Sequence, residues 1–113
     1  MNITNSKKMA VGVDIVENKR VKLRDRFIKR ILSNNELNIF LMLLTKKRKI
    51  EFLAGRWACK EAIYKVVSKN FEFANIDIGY DENGTPIVQT KGLEAISVSI
   101  SHEKKYTIAI AIL

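Results

Sequence analysis

The chain has 113 residues, of which 47% are apolar and 28% are charged. This composition excludes an intrinsically disordered chain and predicts one folded domain, residues 1–113, with a core of its own. No apolar run approaches the roughly 20 residues of a membrane-spanning helix, and Met1 to Met9 lacks the apolar block of a signal peptide. We therefore expect a cytoplasmic protein without a membrane partner, in which the single cysteine, Cys59, is a small core residue.

The net charge of +8 is concentrated in the first half of the chain. Residues 1–60 carry 15 basic and 5 acidic residues, whereas the remaining residues carry 5 basic and 7 acidic ones. The densest stretch, residues 19–30, has seven basic residues and one acid. This pattern predicts an anionic partner, such as phosphates or an acidic protein, and a solvated basic face is the alternative.

The first predicted element is a strand over residues 9–16, because apolar side chains alternate along it. Asp14 is its only charged residue. Residues 24–32 predict a short helix. The sequence from Ser33 to Glu36 then matches a capping box, which predicts a second helix from there to about residue 44.

A long third helix is predicted from about Ile50 to Val67, after the basic stretch of residues 46–49. Between Phe52 and Lys65 it carries four charges but no continuous polar face, because apolar or small residues flank each charge around the helix. A surface helix would segregate its charges on one side. We therefore single out these four charged residues as candidates for function: Arg56, Lys60, Glu61 and Lys65.

Two hairpins are predicted in the last third of the chain. Strands at 76–80 and 86–90 flank the dipeptide Asn83-Gly84, a strong hairpin signal because both residues tolerate positive φ. Alternation over 96–101 and 106–113 predicts the second pair of strands. A strand, then helices, then strands predict an α+β fold with a mainly antiparallel sheet packed on the long helix.

Two carboxylates pose an electrostatic problem in this arrangement. Asp14 lies in an apolar strand and Glu61 lies among alanines, and burying an unpaired carboxylate costs several kcal/mol. Two such groups would suit Mg²⁺, which keeps several waters and takes further ligands from phosphates. The alternatives are an ion pair of Asp14 with Arg20 or Arg56, and an i,i+4 salt bridge from Glu61 to Lys65.

Cationic side chains near these acids could bind phosphate. Arg56, Lys60 and Lys65 are candidates for such a clamp. His102, the only histidine, could hydrogen-bond a phosphate or transfer a proton, although a histidine at a turn is more often simply exposed. No zinc cluster, nucleophile triad or glycine-rich phosphate loop is recognisable. The charges alone suggest a phosphate-handling Mg²⁺ site without naming its substrate.

Blocks across nearly the whole chain resemble the holo-[acyl-carrier-protein] synthase family, the short bacterial 4'-phosphopantetheinyl transferases. The Arg-Trp-Ala-x-Lys-Glu-Ala block is the most specific of them. The blocks are Gly12-Val-Asp14-Ile-Val-Glu17, Phe27-Ile-Lys-Arg30-Ile-Leu-Ser-Asn-Asn-Glu36, Phe52-Leu-Ala-Gly-Arg56-Trp-Ala-Cys-Lys60-Glu61-Ala-Ile-Tyr-Lys65 and Val98-Ser-Ile-Ser101-His102.

The resemblance implies transfer of 4'-phosphopantetheine from coenzyme A to a serine of an acyl carrier protein, with release of adenosine 3',5'-bisphosphate. Asp14 and Glu61 match the acids that bind Mg²⁺ in the family. With Lys65, which matches a lysine at the pyrophosphate, they form the expected catalytic set. The serine's proton would go to Glu61, directly or through a water, or to a metal-bound water as second choice.

The family match also assigns residues to binding surfaces. Expected coenzyme A contacts are Arg48, Arg56, Lys65, Ser101 and His102. Expected carrier-docking residues are Arg20, Arg26 and Arg30, which would make the basic half a landing surface for an acidic carrier helix. The family's short members are homotrimers with sites between neighbours.

The sequence departs from the family pattern in three places. The segment from Arg20 to Arg26 is short, so Arg24 competes with Arg26 for one docking role. Residues 67–70 replace a glycine-rich turn, and Glu103 stands where a small hydroxyl residue is common. The alternative function is a non-enzymatic nucleic-acid-binding module driven by the basic half. The basic stretch lacks interleaved aromatics, which argues against it, and we expect no nucleic-acid partner.

Overall fold

A computed structural model describes residues 9–113, and within them strands and helices follow the predicted α+β order. The expectation that Met1 to Met9 lacks the apolar block of a signal peptide falls largely on residues 1–8, which lie outside the described part. The elements are β1 (Val11–Glu17), α1 (Asp25–Ile31), α2 (Asn34–Leu41), α3 (Lys46–Val66), β2 (Ile78–Tyr80), β3 (Pro86–Val88), β4 (Ser97–His102) and β5 (Tyr106–Ile112), with 3₁₀ turns at Asn18–Arg20 and Phe73–Asn75.

The main sheet has three antiparallel strands in the order β1-β5-β4, and β2 and β3 form a separate hairpin. The inner face of the main sheet packs against α3, which contacts all three of its strands. Asp14 lies opposite Ala109 on the central strand, and His102 lies opposite Thr107 on the same strand. Asp14 and His102 therefore stand on the two outer strands of this sheet, one on either side of the strand between them.

A close backbone approach brings β1 onto α3. A Cβ placed on Gly12 would lie 2.2 Å from the carbonyl oxygen of Ala62, well inside van der Waals contact. Only glycine fits this position, and fully buried alanines on α3 and β5 allow the same tight packing elsewhere. The contact sets Asp14, two residues farther along β1, beside the helix that carries Glu61.

Helices α2 and α3 begin where their capping residues place them. In α2 the predicted capping box is confirmed, because Ser33 N donates to Glu36 Oε1 at 2.8 Å and Glu36 N donates to Ser33 Oγ at 3.1 Å. The helix ends at Leu41, short of residue 44. Helix α3 begins at Lys46, four residues earlier than Ile50, because Thr45 Oγ1 accepts from Arg48 N at 3.1 Å and caps it.

The first hairpin is present but its turn differs from the prediction. Gly84 has φ of 80°, whereas no described residue other than glycine has positive φ, so Asn83 does not adopt the left-handed conformation. The loop has five residues, and Asp81 N donates to Thr85 O at 2.9 Å across it. Asp81 Oδ1 also accepts from the amides of Asn83 and Thr85. This side chain, rather than a two-residue turn, organises the loop.

The outer face of the main sheet, turned away from α3, is apolar and exposed. Ile15 keeps 59% of its surface exposed, and Val11, Val13 and Ile108 are similarly open. The strand register places Ile15 beside Ile108 and Val13 beside Ile110, so these side chains form one continuous patch. We call this patch the outer sheet face. Among residues 9–113, no helix is long and apolar enough to cross a membrane.

Candidate functional site

Asp14 and Glu61, the two acids singled out from the sequence, line the same cavity. It has a volume of about 200 Å³, and its walls come from β1, the following 3₁₀ turn and α3. Arg20 and Trp57 line it as well. The tight contact at Gly12 explains this convergence, since it leaves no space for a side-chain layer between strand and helix at that point.

Asp14 is paired with Lys65. The Lys65 Nζ atom lies 3.6 Å from Asp14 Oδ1 and donates a hydrogen bond to the carbonyl of Val13 at 2.7 Å. Burial raises the pKa of the Asp14 carboxyl above its ordinary value, and the charges of Lys65 and Arg20 offset part of that rise. The alternative for Asp14, an ion pair with Arg20 or Arg56, is thus wrong in its partner, which is Lys65.

The alternative for Glu61, an i,i+4 salt bridge to Lys65, is also absent from residues 9–113. Lys65 turns toward β1 instead, because the Val13 carbonyl and the Asp14 carboxylate both attract its ammonium group. Glu61 is therefore left on the wall of the cavity with Asp14. The pair can offer oxygen atoms to a ligand that enters between them.

The donor set fits a hard divalent cation. Within residues 9–113 no group of three or more histidine, cysteine, aspartate or glutamate residues could hold a metal. A cation here would have Asp14 and Glu61 as its protein ligands and would complete its shell with water or substrate oxygens. Mg²⁺ is commonly bound in this way, by one or two carboxylates together with phosphates.

Arg56 and Lys60 are tied to a third carboxylate, Glu36, inside the protein. Arg56 is 2% exposed; its Nε donates to Glu36 Oε2 and its Nη2 to the Ile78 carbonyl, both at 3.1 Å. The Lys60 ammonium is fully buried and donates to Glu36 Oε1 and to the carbonyls of Ile31 and Phe73. We call Arg56, Lys60 and Glu36 the buried ion cluster.

The buried ion cluster corrects the expectation of a phosphate clamp. Two of the three guanidinium nitrogens of Arg56 are used internally, and the ammonium of Lys60 has no exposed surface. Burial lowers the pKa of Lys60, while the charge of Glu36 opposes that change. Sequence reasoning had given Glu36 only a capping role and had not identified it as the partner of these two cations.

His102 lies on the other flank of α3. Its imidazole packs against Gly55, where a Cβ would come within 3.0 Å of Cε1. Burial lowers the pKa of His102, the charge of Glu51 opposes this, and the charges of Arg48 and Arg56 reinforce it. Arg48, which is exposed in the first turn of α3, and His102 therefore share one electrostatic environment.

Within one chain, the pair of Arg48 and His102 does not meet the pair of Asp14 and Glu61. Arg48 and Glu61 are thirteen positions apart on α3, which corresponds to about 20 Å along the axis. At about 100° per residue, the two side chains also leave the helix in nearly opposite directions. The structure thus brings Asp14, Glu61 and Lys65 together, and Arg48 with His102, as two separate groups.

Ser101 shares a cavity with His102, the residue after it on β4. Alternation along β4 sends its side chain to the outer sheet face while His102 turns toward α3. The shared cavity has a volume of about 360 Å³, and Ile15, Tyr106 and Ile108 line it as well. The expected coenzyme A contact of Ser101 remains a prediction.

The expected docking arginines are all exposed, and Arg20 and Arg30 each line a cavity that Glu61 also lines. The Arg20 guanidinium carbon is 5.4 Å from the centre of the Trp57 ring. Arg30 lines a second cavity of about 780 Å³ that shares Trp57 and Glu61 with the first. Arg26 is one helical turn before Arg30 on α1. A basic surface therefore leads to the two acids, and sequence reasoning had missed the part of Trp57 in it.

Cys59 is confirmed as a core residue. Its side chain has no exposed surface, and burial raises the pKa of its thiol to about 12. A thiolate nucleophile is excluded at this position, because the ionised form would not be populated near neutral pH.

Comparisons with known proteins agree with the resemblance drawn from the sequence. The family model of the 4'-phosphopantetheinyl transferase superfamily matches residues 10–111. The holo-[acyl-carrier-protein] synthase of Mycoplasma mycoides subsp. mycoides SC is 55% identical over 102 residues, covering 90% of this chain and 91% of that protein. That of Geobacillus sp. is 46% identical over 110 residues, covering 89% and 92%.

Solved structures are similar over the same range. The holo-(acyl-carrier-protein) synthase of Bacillus anthracis in complex with CoA (3',5'-ADP) has a TM-score of 0.84 and 37% identity, covering 94% of this chain and 97% of that one. The Helicobacter pylori enzyme in complex with coenzyme A has a TM-score of 0.71 and 26% identity, covering 89% and 96%.

The buried ion cluster predicts a large effect of a nearly isosteric change. Glu36→Gln keeps the capping box, since glutamine also caps at this position, but leaves two buried cations without a counter-charge. We expect the free energy of unfolding to fall by about 3–5 kcal/mol, measured by urea denaturation. Glu82→Gln, in the exposed β2–β3 loop, is the control. Equal stability of the two variants would contradict the ion cluster.

Proposed function

Because the chain belongs to the 4'-phosphopantetheinyl transferase superfamily, we propose that it transfers 4'-phosphopantetheine from coenzyme A to a serine of an acyl carrier protein. The products are holo-acyl carrier protein and adenosine 3',5'-bisphosphate. The observation that carries the proposal is that Asp14 and Glu61 line one cavity beside an exposed basic surface, with Lys65 paired to Asp14. Relatives with holo-[acyl-carrier-protein] synthase activity, two of them solved with coenzyme A, support it.

Asp14 and Glu61 would hold Mg²⁺, the cofactor we propose. When bound, this ion supplies charge neutralisation and orientation for the pyrophosphate of coenzyme A. Lys65 adds a positive charge beside Asp14, where its ammonium is already held by the Val13 carbonyl. A compact ammonium of this kind suits a phosphate oxygen. Arg56 is left out of the proposed contacts because its guanidinium is engaged with Glu36 and Ile78.

The bond changes can be written for this site. The carrier serine oxygen forms a bond to the phosphorus that bears the pantetheine. The bond from that phosphorus to the bridging oxygen of the pyrophosphate breaks, and adenosine 3',5'-bisphosphate leaves with the electron pair. The serine proton passes to Glu61, directly or through a water, because this carboxylate lines the cavity without an ion-pair partner among residues 9–113.

The basic surface around the cavity would receive the carrier protein. Arg20, Arg26 and Arg30 are exposed, and an acidic carrier helix that lay across them would bring its serine toward Asp14 and Glu61. Charges at the rim of an interface mainly steer association and set its salt dependence. Arg20 also stacks near Trp57, which gives the surface an apolar element beside its charges.

We further propose that three copies assemble through the outer sheet face. An exposed apolar patch of this extent on a soluble domain usually marks an interface. Assembly would also bring together the two groups that are separate within one chain, because Arg48 and His102 of one copy could face the Asp14–Glu61 cavity of the next. One coenzyme A molecule would then span a site built from two subunits.

The transfer reaction can be tested by intact mass. Incubation of apo-acyl carrier protein with the chain, coenzyme A and Mg²⁺ should add one phosphopantetheine mass to the carrier, and Asp14→Asn or Glu61→Gln should abolish this gain. Glu82→Gln should leave it unchanged. Near-normal transfer by both acid variants would refute the metal site, and no transfer by the unmodified chain would refute the function.

The Asp14 change should not weaken the fold. Its pKa is raised in the folded state, so the unfolded chain releases this proton more readily, and the ionised carboxylate costs stability above the folded pKa. That cost disappears when the pH is below the ordinary pKa of an aspartate, because the carboxyl is then protonated in both states. At pH 7, Asp14→Asn should therefore keep or raise the free energy of unfolding while transfer is lost. A marked loss of stability, measured by urea denaturation, would contradict this assignment.

Charge reversal should separate carrier docking from coenzyme binding. Arg20→Glu with Arg26→Glu should weaken carrier affinity severalfold, most strongly at low salt, and should change coenzyme A affinity less, both measured by calorimetry. Lys91→Glu, an exposed lysine outside the basic surface, is the matched control. Unchanged carrier affinity together with tight, salt-sensitive binding to duplex DNA would favour the nucleic-acid-binding alternative.

Assembly can be tested on the outer sheet face. Sedimentation equilibrium should give three times the chain mass for the unmodified protein, and Ile15→Lys with Ile108→Lys should give single chains with little transfer activity. Ile87→Lys places the same charge on an exposed isoleucine of β3 and should preserve the trimer. A single-chain mass for the unmodified protein would overturn the proposed assembly.

A further inference from the structure

A buried hydroxyl links His102 to the turn after β1. The side chain of Thr107 has no exposed surface, and its Oγ1 lies 3.0 Å from His102 Nδ1. The same oxygen lies 2.8 Å from Oδ1 of Asn18. His102, Thr107 and Asn18 thus form a hydrogen-bonded chain across three segments of the fold.

The directions of these hydrogen bonds follow from Asn18. Its Nδ2 group donates to the carbonyls of Glu103 and Lys104, at 3.1 and 3.3 Å, in the β4–β5 turn. The amide is therefore oriented with Oδ1 toward Thr107, and an amide oxygen can only accept. Because the Thr107 hydroxyl has one proton and donates it to Asn18, its oxygen must accept from His102 Nδ1.

We propose that Asn18 and Thr107 are positioning residues that hold neutral His102 as the Nδ1–H tautomer, with Nε2 unprotonated. A phosphate oxygen only accepts hydrogen bonds, so His102 can contact one through Nε2 only after taking up a second proton. This last step rests on the proposed function, in which His102 faces a phosphate of coenzyme A. Binding of the nucleotide would then be coupled to protonation of this side chain.

The surroundings of His102 favour such coupling. The charged groups that face it from α3 are Glu51, Arg48 and Arg56. Glu103 and Lys104 follow it in the β4–β5 turn, and β5 contributes the uncharged Thr107 and the phenol of Tyr106, which lines a cavity with His102. Burial lowers its pKa in the free protein, so the imidazole is neutral near pH 7. Phosphate binding would raise this pKa, and affinity should fall as the pH rises.

Nitrogen NMR of the labelled imidazole tests the tautomer directly, because His102 is the only histidine. Above its pKa, the free protein should show Nδ1 as the protonated nitrogen and Nε2 as the unprotonated one. Thr107→Val removes the hydroxyl at similar volume and should shift the ring toward the Nε2–H tautomer, whereas Thr107→Ser should preserve Nδ1–H. An Nε2–H tautomer in the unmodified protein, or identical spectra for the two folded variants, would overturn the proposal.

Proton uptake tests the coupling to ligand. Calorimetric titration with adenosine 3',5'-bisphosphate, in buffers of different ionisation enthalpy, should show uptake that is reduced in His102→Gln. Titration of the ligand's own phosphate is common to both proteins and cancels in the comparison. Equal uptake would refute the coupling, and failure to bind the nucleotide would count against the proposed function. Because the NMR experiment on the free protein needs no ligand, a failure of the tautomer proposal can be told apart from a failure of the proposed function.

Discussion

The ion cluster at Glu36 is the interaction on which the arrangement of this fold depends. One buried carboxylate accepts from Arg56 and Lys60 of α3, from the amide of Ile78 at the start of β2, and from the amide of Ser33 before α2. Both cations also donate to main-chain carbonyls, so every charge in the cluster is satisfied. No buried side-chain nitrogen or oxygen within residues 9–113 lacks a partner. This network fixes α3 against the shorter elements, and that orientation decides which of its other faces meet β1 and β4.

Much of the fold could be predicted because its signals are local. Alternation marked the strands, and the Ser33 to Glu36 pattern marked the start of α2 at the residue where it begins. The charges of α3 were recognised as unusual from helical periodicity alone. Their partners could not be derived, because Glu36 is 24 positions from Lys60 and nothing in a capping box reports a second, buried role. The hairpin at Asn83-Gly84 was predicted correctly, but only Gly84 has positive φ, and the side chain of Asp81 accepts from the loop amides instead.

The acidic residues of the candidate site could be predicted from the sequence better than its cationic residues could. A carboxylate in an apolar strand and another among alanines are costly wherever they lie, so Asp14 and Glu61 stand out without a structure. A long cationic side chain can reach several acceptors, and its choice depends on geometry that sequence does not contain. Lys65 therefore turns to β1, and Arg56 turns inward. Asn18 and Thr107 gave no signal, because a hydrogen-bonded chain across the sheet exists only after the strands have paired.

The contact of Gly12 with Ala62 makes position 12 intolerant of mutation. A Cβ there would lie 2.2 Å from the carbonyl oxygen of Ala62, so even an alanine would have to push β1 away from α3. Asp14 lies two residues farther along β1, and Glu61 directly precedes Ala62 on the helix. A single methyl group at position 12 would therefore draw the two carboxylates apart without touching either of them.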